Sequence, residues 1–388
     1  MYWLRIIPIF IIGLMVSGCS KYPVSGHVDM NSSTKNNKIY LVKPQHFRSV
    51  VSSFEGSVID STDINQDGSF HFNKMPDTND KTLYLLTIQE KNEKYPTKLE
   101  NDDFTRSNYI PFIYQKNKTV IIKSSADNLL QNSDIQGNTE ENDFINSLIK
   151  VKTEAYNLTK NLDQQFNEET HLDDEKTRYL SQKLLIANVE NNNDVLINAL
   201  ALRWISPNSD YERIPELVKP ICQKLQKSSP NHPWTAEICQ LAARLPHAPG
   251  EKFPDFAMPM MGKDTMSLYS IMGTKLTLID MWASWCAPCR KENKNILVPL
   301  WDKYHNNGFQ IIGYALDSSD KAWENATTKD GANRWLHASH LQGDESPLFE
   351  KIKITTIPAN YLVDANGIIL AKNLHGEDLT KWVDAYMK

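Results

Sequence analysis

Short runs of apolar and β-prone residues, separated by turn residues, dominate the first third of the chain. The clearest runs are KIYLV, GSFHF, TLYLLTI and KTVIIK, all between residues 22 and 125. Little of this region has the periodicity of a helix. The pattern therefore predicts a small antiparallel β domain, best described as a sandwich, over residues 20–130.

The period changes to that of helices between residues 138 and 246. Further helical runs cover about 174–189, 194–204, 214–227 and 234–245. In the first run the apolar residues are spaced by three or four positions and so share one helical face: Phe144, Leu148, Val151, Ala155, Leu158 and Leu162. We predict a helical module whose apolar stripes form its own core.

Two cysteines occupy the last two helical runs. Cys222 and Cys239 lie about equally far from the turn between these helices, near Pro230. Antiparallel helices would bring them level, at a separation that could suit a disulfide closing a loop of 16 residues. The alternative is that both are small buried hydrophobic residues, and the sequence leaves the two open.

The first residues have a different character. MYWLRIIPIFIIGLMVSGCS has one early cation and then an apolar run that is too short and too broken by Pro and Gly for a membrane span. This pattern is typical of a signal peptide, here residues 1–19. Its end, VSGC, resembles the bacterial lipobox, which implies cleavage before Cys19 and lipid attachment to that residue. The alternative is an ordinary signal peptide with a chance cysteine. Either way, an exported chain works where disulfides can form.

The composition indicates only the broad class of protein. A chain of 388 residues exceeds one ordinary domain. With 40% hydrophobic residues, 23% charged residues and a net charge of −5, it resembles a soluble globular protein and shows no basic excess for nucleic acid.

Strand and helix patterns alternate after the proline-rich linker LPHAPGEKFPDF. Over residues 250–388 the order is β, helix, β, helix, β-hairpin and helix, which predicts an α/β domain. The motif WCAPC follows the apolar strand TKLTLIDMW and opens a helix. This is the thioredoxin-fold context for a C-x-x-C motif.

The pair Cys286 and Cys289 has three possible uses. Zinc would need a second pair of ligands at suitable spacing, which the sequence lacks. A structural staple closing so small a loop would stabilise little, whereas a redox pair suits the spacing. A cysteine at the start of a helix favours the thiolate, Arg290 and Lys291 would add positive potential, and Pro288 would stiffen the turn.

DMWASWCAPCRKE and TTIPANYLVDANG resemble the TlpA/ResA-like thiol-disulfide oxidoreductases of the bacterial envelope. The resemblance implies that Cys286 attacks a partner disulfide and that Cys289 then resolves the mixed disulfide. It further implies that Asp280 accepts the proton of Cys289, although a hydrogen-bonded strand-end residue is the alternative. Glu292 is left open between a helix-surface residue and a proton-handling one.

The same resemblance implies a docking surface for the substrate. Pro358 would be a cis-proline that holds Ile357, so that the Ile357 backbone pairs with an extended substrate strand. Trp285 would cover the disulfide, with Pro288 beside it, whereas Trp282 would belong to the core. No metal or cofactor is expected.

The β region resembles the N-terminal domain, of unknown function, that precedes a thioredoxin domain in many envelope lipoproteins. The resemblance rests on the GH start, YLV and DSTDINQDGSFHF, and it names no catalytic residue. Within it, DINQDG imitates a calcium loop, but Lys74 stands where that loop needs a bidentate Glu. We predict a β-hairpin turn with Asp67-Gly68 at its tip.

The leading hypothesis is a membrane-anchored thiol-disulfide oxidoreductase that reduces disulfides of exported proteins. Its expected partners are disulfide-bearing envelope proteins and a membrane electron donor, not nucleic acid. Ser20 and Lys21, which follow Cys19, lack the Asp of inner-membrane lipoproteins and favour the outer membrane, facing the periplasm. The alternatives are a binding scaffold with an accessory redox domain and a peroxiredoxin-type peroxidase. Peroxidases need a Pro-x-x-x-Thr/Ser-x-x-Cys pattern, which is absent ahead of Cys286.

Overall fold

The computed structural model describes residues 22–30, 34–101, 103–137, 139–162, 170–262 and 264–388. These residues form two compact units. The first contains the described residues up to Lys43 and those within Gly56–Ser147, and the second contains Pro44–Glu55 and the described residues within Leu148–Lys388. The predicted succession of β sheets, a helical middle and a C-terminal α/β domain is confirmed. The signal-peptide interpretation, including Cys19, lies outside the described residues, and no helix among the described residues is long and apolar enough to cross a membrane.

The described part of the first unit contains two four-stranded sheets, ordered β4-β1-β7-β8 and β3-β2-β5-β6. All neighbouring strands are antiparallel except β1 and β7, which are parallel. A parallel pair requires a crossover, and here the whole second sheet lies between the two strands in sequence. The strands are β1 Val24–Asp29, β2 Lys35–Lys43, β3 Ser57–Asp63, β4 Ser69–Phe72, β5 Thr82–Glu90, β6 Tyr109–Tyr114, β7 Val120–Ser125 and β8 Asp134–Gly137.

The predicted turn at Asp67-Gly68 is present, but the hairpin interpretation is wrong. Gly68 has a positive φ of 84° and donates its N–H to the carbonyl of Asn65 at 2.9 Å. The strands on either side, β3 and β4, belong to different sheets. A turn signal fixes the local backbone and leaves open which strand each arm pairs with.

Five helices follow: α1 Glu140–Thr159, α2 His171–Val189, α3 Val195–Ile205, α4 Pro215–Ser228 and α5 Pro233–Arg244. On α1, Leu148 and Ala155 are buried, but Leu158 is 49% exposed, so the predicted apolar face ends before the helix does. Leu162 lies beyond the end of α1.

The segment 44–55, between β2 and β3, packs on the helices of the second unit. Arg203 of α3 is only 1% exposed; it donates to the carbonyl of Val50 at 3.0 Å and to the hydroxyl of Ser52 at 2.6 Å. Glu237 of α5 accepts the backbone N–H of Phe47 at 2.7 Å. The predicted domain over residues 20–130 includes this segment, whereas the structure groups the segment with the helices. The partners of the segment lie far away in sequence, so the local pattern does not show these contacts.

The C-terminal domain is built on a five-stranded sheet in the order β13-β12-β11-β14-β15, with a small β9-β10 ribbon beside it. Strand β11 is central, parallel to β12 and antiparallel to β14. The elements are β9 Ala257–Pro259, β10 Thr265–Ser267, β11 Leu276–Trp282, α6 Ala287–Glu292, α7 Val298–Tyr304, β12 Phe309–Ala315, α8 Asp320–Lys329, β13 Leu336–Ala338, α9 Pro347–Ile352, β14 Ala359–Asp364, β15 Ile369–Lys372 and α10 Gly376–Met387.

A π-helical turn connects α6 to α7 next to Pro299. Residues Asn293–Leu297 form a π-helical segment that joins α6 to α7, and Pro299 falls in the first turn of α7. Proline has no N–H to donate and its ring crowds the preceding turn, so the added residue of a π turn relieves this conflict.

Helices α4 and α5 are joined by a disulfide between Cys222 and Cys239, whose Cα atoms are 5.0 Å apart. Both helices begin with a proline in the first turn, and the short link between them is 229–232. The bond closes the loop that contains this link, and so restricts the unfolded chain.

We expect the double change Cys222→Ala and Cys239→Ala to lower the free energy of unfolding of the second unit by about 2–4 kcal/mol, as for loops of this length. Denaturant unfolding of the oxidised protein, followed by far-UV circular dichroism, measures this. The matched control is Cys286→Ser with Cys289→Ser, which removes a bond closing a much smaller loop. Equal unfolding midpoints for wild type and the Cys222/Cys239 variant would contradict the structural role.

Candidate active site

Cys286 and Cys289 are joined by a disulfide at the start of α6. Cys286 is the N-cap residue, and the backbone N–H of Cys289 points at its sulfur at 3.3 Å. Cys286 is 6% exposed and Cys289 is 2% exposed. When the bond opens, the free N–H groups of the first turn therefore face Cys286 and stabilise its thiolate. Pro288 stands in that first turn, where it loses no hydrogen bond.

The predicted docking residues lie at the end of the sheet where β11 finishes. The Ile357–Pro358 peptide bond is cis, and β14 begins at the next residue, Ala359, which pairs with Met281 of β11. Ile357 is half-buried and packs against the same apolar cluster as the two cysteines. Among the described residues, nothing pairs with its backbone N–H or carbonyl. A substrate strand can therefore use both groups.

Trp285, immediately before Cys286, is 64% exposed. Trp282 is fully buried and packs edge-on against His337. Burial lowers the pKa of His337 to about 4, so this histidine is neutral at physiological pH. Trp282 thus lies in the core, as predicted, whereas the predicted covering of the disulfide by Trp285 stays a prediction.

Asp280 is a buried carboxyl in the middle of the sheet. It lies on β11 between Gly313 and Asn360 and is 4% exposed. Burial, and secondarily the charge of Glu292, raise the pKa of Asp280 well above its ordinary value. No side-chain hydrogen bond offsets this within the part of the chain that the structure describes. A carboxyl whose pKa is raised is a stronger base when ionised than an exposed one, which suits it to accept a proton.

Glu292 is not a helix-surface residue, so that alternative is wrong. It is 6% exposed, accepts the backbone N–H of Gly376 at 2.9 Å and lies 2.8 Å from Nδ1 of His375. Both partners are at the start of α10. Glu292 therefore connects the active-site helix to the C-terminal helix, and its charge acts on Asp280.

Sequence reasoning missed two carboxylates that hold the active-site loop. Asp317, at the end of β12, accepts the backbone N–H of Ser284 at 2.9 Å and also its hydroxyl. Asp330, at the end of α8, binds the Arg290 guanidinium through two hydrogen bonds. Their position just after a strand or helix was the only sequence signal available.

The prediction that Arg290 adds positive potential near Cys286 needs correction, because Asp330 pairs with it. Its charge is matched by Asp330, and its Nη1 donates to the carbonyl of Ser284 at 2.9 Å. It therefore fixes the loop before Cys286 instead of supplying free positive potential. Positive charge remains nearby, since Lys291, Lys294 and Lys329 line a shallow cavity of about 430 Å³ together with Trp285. Of these lysines, Lys294 also reaches Asp330, at 3.0 Å.

No group of three or more His, Cys, Asp or Glu side chains suited to a metal ion occurs within the described ranges.

The C-terminal domain is similar to known proteins. Residues 249–372 match the AhpC/TSA family. The thiol-disulfide oxidoreductase ResA of Bacillus anthracis is 24% identical over 139 residues, covering 36% of this chain and 76% of that protein. The thiol:disulfide interchange protein DsbE of Pseudomonas fluorescens biotype C is 26% identical over 141 residues, covering 35% of this chain and 71% of that protein.

A solved structure, the thiol-disulfide oxidoreductase from Bacteroides fragilis, is 31% identical and covers 35% of this chain and 98% of its own, with a TM-score of 0.33. The family match covers residues 249–372, and this C-terminal domain is thioredoxin-like. Within that class the chain is a thiol-disulfide oxidoreductase, similar to ResA and DsbE.

We expect Asp280→Asn to raise the melting temperature by about 2–4 °C at neutral pH, because it removes a buried ionisable carboxyl. The folded-state pKa of Asp280 is raised, so its carboxyl costs stability as pH rises above the ordinary Asp value of about 3.9. The gain should therefore be small near pH 4 and grow with pH. Melting curves across this range measure it.

The same substitution should slow release of the substrate from the mixed disulfide by about a hundredfold, because Cys289 loses its proton acceptor. Stopped-flow oxidation of the prereduced protein measures this rate. Asp302→Asn, which changes an exposed carboxyl paired with Arg334, is the control and should alter neither property. An unchanged rate in Asp280→Asn would exclude the proton-acceptor role.

Proposed function

We propose that this chain is a membrane-anchored oxidoreductase of the cell envelope that reduces disulfides in exported proteins through Cys286 and Cys289. The observation that carries the proposal is the combination of a disulfide at a helix N-terminus with an unpaired backbone segment at Ile357 beside a cis-proline. In its dithiol form the cysteine pair supplies the electrons, and the Ile357 segment supplies a place for an extended substrate.

The reaction uses one pair of electrons per cycle. The thiolate of Cys286 attacks a sulfur of the substrate disulfide, forming a mixed disulfide and releasing the other substrate sulfur as a thiolate that takes up a proton. Cys289 then transfers its proton to Asp280 and attacks Cys286. The second substrate sulfur leaves as a thiolate and takes up a proton from water, so the substrate is released as a dithiol and the protein keeps the Cys286–Cys289 disulfide. A reduced electron donor of the envelope must return the pair to the dithiol.

The substrate docks through its backbone in this proposal. A strand pairing with the N–H and carbonyl of Ile357 would pass over Trp285, whose exposed ring gives an apolar contact without selecting a particular side chain. Such recognition suits unfolded or partly folded exported proteins, which present extended segments.

The envelope location rests on the sequence VSGC and on the relatives. Lipid on Cys19 would hold the protein at a membrane without a spanning helix, and the residues after it favour the outer membrane facing the periplasm. A compartment that allows disulfides also agrees with the Cys222–Cys239 bond, which is remote from the redox motif in sequence.

The AhpC/TSA match makes a peroxidase the second candidate. It is less well supported, because Ala283 stands three residues before Cys286 where the peroxidase pattern has Thr or Ser. Consumption of hydrogen peroxide by the reduced protein at a rate comparable with that of disulfide reduction would favour it.

We expect the reduction potential of Cys286–Cys289 in the full-length protein to lie near the thioredoxin value of about −270 mV. Equilibration with glutathione or dithiothreitol buffers, followed by alkylation and peptide mass spectrometry, reports this pair separately from Cys222–Cys239. A value near about −120 mV would indicate a disulfide-forming enzyme instead. Absence of any reversible couple would favour a binding scaffold.

We expect Cys19→Ser to abolish lipid labelling and to release the protein from the membrane fraction when it is produced in a bacterial host. Labelled palmitate followed by fractionation tests this. The control is Cys222→Ser with Cys239→Ser, which should leave labelling unchanged. Labelling that persists in Cys19→Ser would remove the anchor from the proposal.

A further inference from the structure

A turn of the helical module lies against the cis-proline loop. Glu212, between α3 and α4, accepts the backbone N–H of Thr355 at 2.8 Å and also binds the Thr355 hydroxyl. The hydroxyl of Thr356 lies 3.4 Å from the same carboxylate. Thr355 and Thr356 are the two residues just before Ile357, so a single carboxylate holds the loop on the N-terminal side of the docking segment.

Arg213 holds the loop on the other side. Its Nη2 donates to the carbonyl of Pro358 at 3.2 Å, and its Nε pairs with Glu175 of α2 at 2.5 Å. Arg213 is thereby fixed to the helical module while it contacts the loop. The backbone of Ile357 lies between these two attachments and is the part left without a partner among the described residues.

A buried lysine contacts the backbone of the same turn. Lys372 of β15 is 9% exposed and lies 3.5 Å from the backbone carbonyl of Glu212. Burial lowers the pKa of Lys372 to about 8, and burial also raises the pKa of Glu216 on α4. Lys372 is thus shielded from water, whereas the contacts of Glu212 with Thr355 and Thr356 lie at the surface.

Other contacts already join the helical module to the C-terminal domain. Lys219 of α4 binds both carboxylate oxygens of Glu251, at 2.9 and 2.7 Å, and Lys353 donates to the carbonyl of Ala243. Glu212 and Arg213 are thus not needed to keep the two parts together. What distinguishes them is that their partners bracket Ile357.

We propose that Glu212 and Arg213 are positioning residues for substrate docking, so that the helical module forms part of the site for extended polypeptide disulfides. They fix Thr355 and Pro358, and thereby hold the N–H and carbonyl of Ile357 in the orientation that a substrate strand requires. A small disulfide without a peptide backbone does not use these groups. The inference rests on the proposed disulfide reductase function and adds a substrate class to it.

The test compares two substrates in single-turnover reactions of prereduced full-length protein. One substrate is an unstructured peptide containing one disulfide, and the other is hydroxyethyl disulfide. We expect Glu212→Ala to lower the second-order rate constant for the peptide by about tenfold, the loss typical of one hydrogen bond to a charged group. The loss should come from weaker peptide binding, and the rate with hydroxyethyl disulfide should stay within about twofold.

Two further variants separate positioning from stability. Glu212→Gln keeps an oxygen that can accept the Thr355 N–H, so it should recover most of the peptide rate. Lys219→Met removes a contact between the same two parts away from the loop, so it should leave the ratio of peptide to small-disulfide rates unchanged.

Hydrogen exchange gives a readout that does not depend on turnover. The Thr355 amide should exchange at least about tenfold faster in Glu212→Ala than in wild type, with no change in Lys219→Met.

The outcomes distinguish the inference from the proposed function. Equal losses on both substrates, or an unchanged peptide rate in Glu212→Ala, would overturn the positioning role and leave the oxidoreductase intact. A wild-type protein that reduces neither substrate would overturn the proposed function and the positioning role with it. Unchanged exchange at Thr355 would show that the contact itself does not hold the loop.

Discussion

The pairing of β11 on both edges is the constraint on which the rest of the site depends. Its seven residues are all buried, with β12 on one side and β14 on the other. A central strand cannot slip without breaking both ladders and turning its side chains over, so its end at Trp282 is a fixed point. The redox loop leaves from that point, and the cis-proline loop enters β14 opposite it. Their proximity follows from the sheet and does not depend on the loops themselves.

This constraint also forces a carboxyl into the core. Both faces of β11 are covered, so Asp280 is buried, and the nearby buried charge of Glu292 raises its pKa further. Glu292 is in turn held by the start of α10, the last helix of the chain. In the proposed cycle this carboxyl takes the proton of Cys289, so the stability that it costs and its proposed role depend on the same pKa, to which the C-terminal helix contributes through Glu292. An unfavourable buried group of this kind is typical of functional sites.

The sequence predicts the parts of the site that are local. The strand, the C-x-x-C motif and the helix N-terminus follow one another within a short stretch, so the placement of Cys286 at the N-cap follows from pattern and capping rules. The pairing of Arg290 with Asp330, the burial of Glu292 and the packing of segment 44–55 join residues far apart in the chain. Each depends on which surfaces meet in three dimensions, and periodicity carries no such information. Likewise, the turn at Asp67-Gly68 is local, but the sheet to which each arm belongs is not.

The contacts of Glu212 and Arg213 with the cis-proline loop suggest what the helical module does. A cis-proline loop is a short irregular segment whose docking groups must stay unpaired, so it cannot be stabilised by pairing those same groups. Residues on either side of Ile357 must hold it, and Glu212 and Arg213 do so from a turn that leads into α4. The disulfide from α4 to α5 and the Lys219–Glu251 pair restrain that helix in turn. In this proposal, a module placed before the redox domain changes substrate preference without touching the cysteines. It does so because it acts on the cis-proline loop, which the strand pairing of the sheet does not hold.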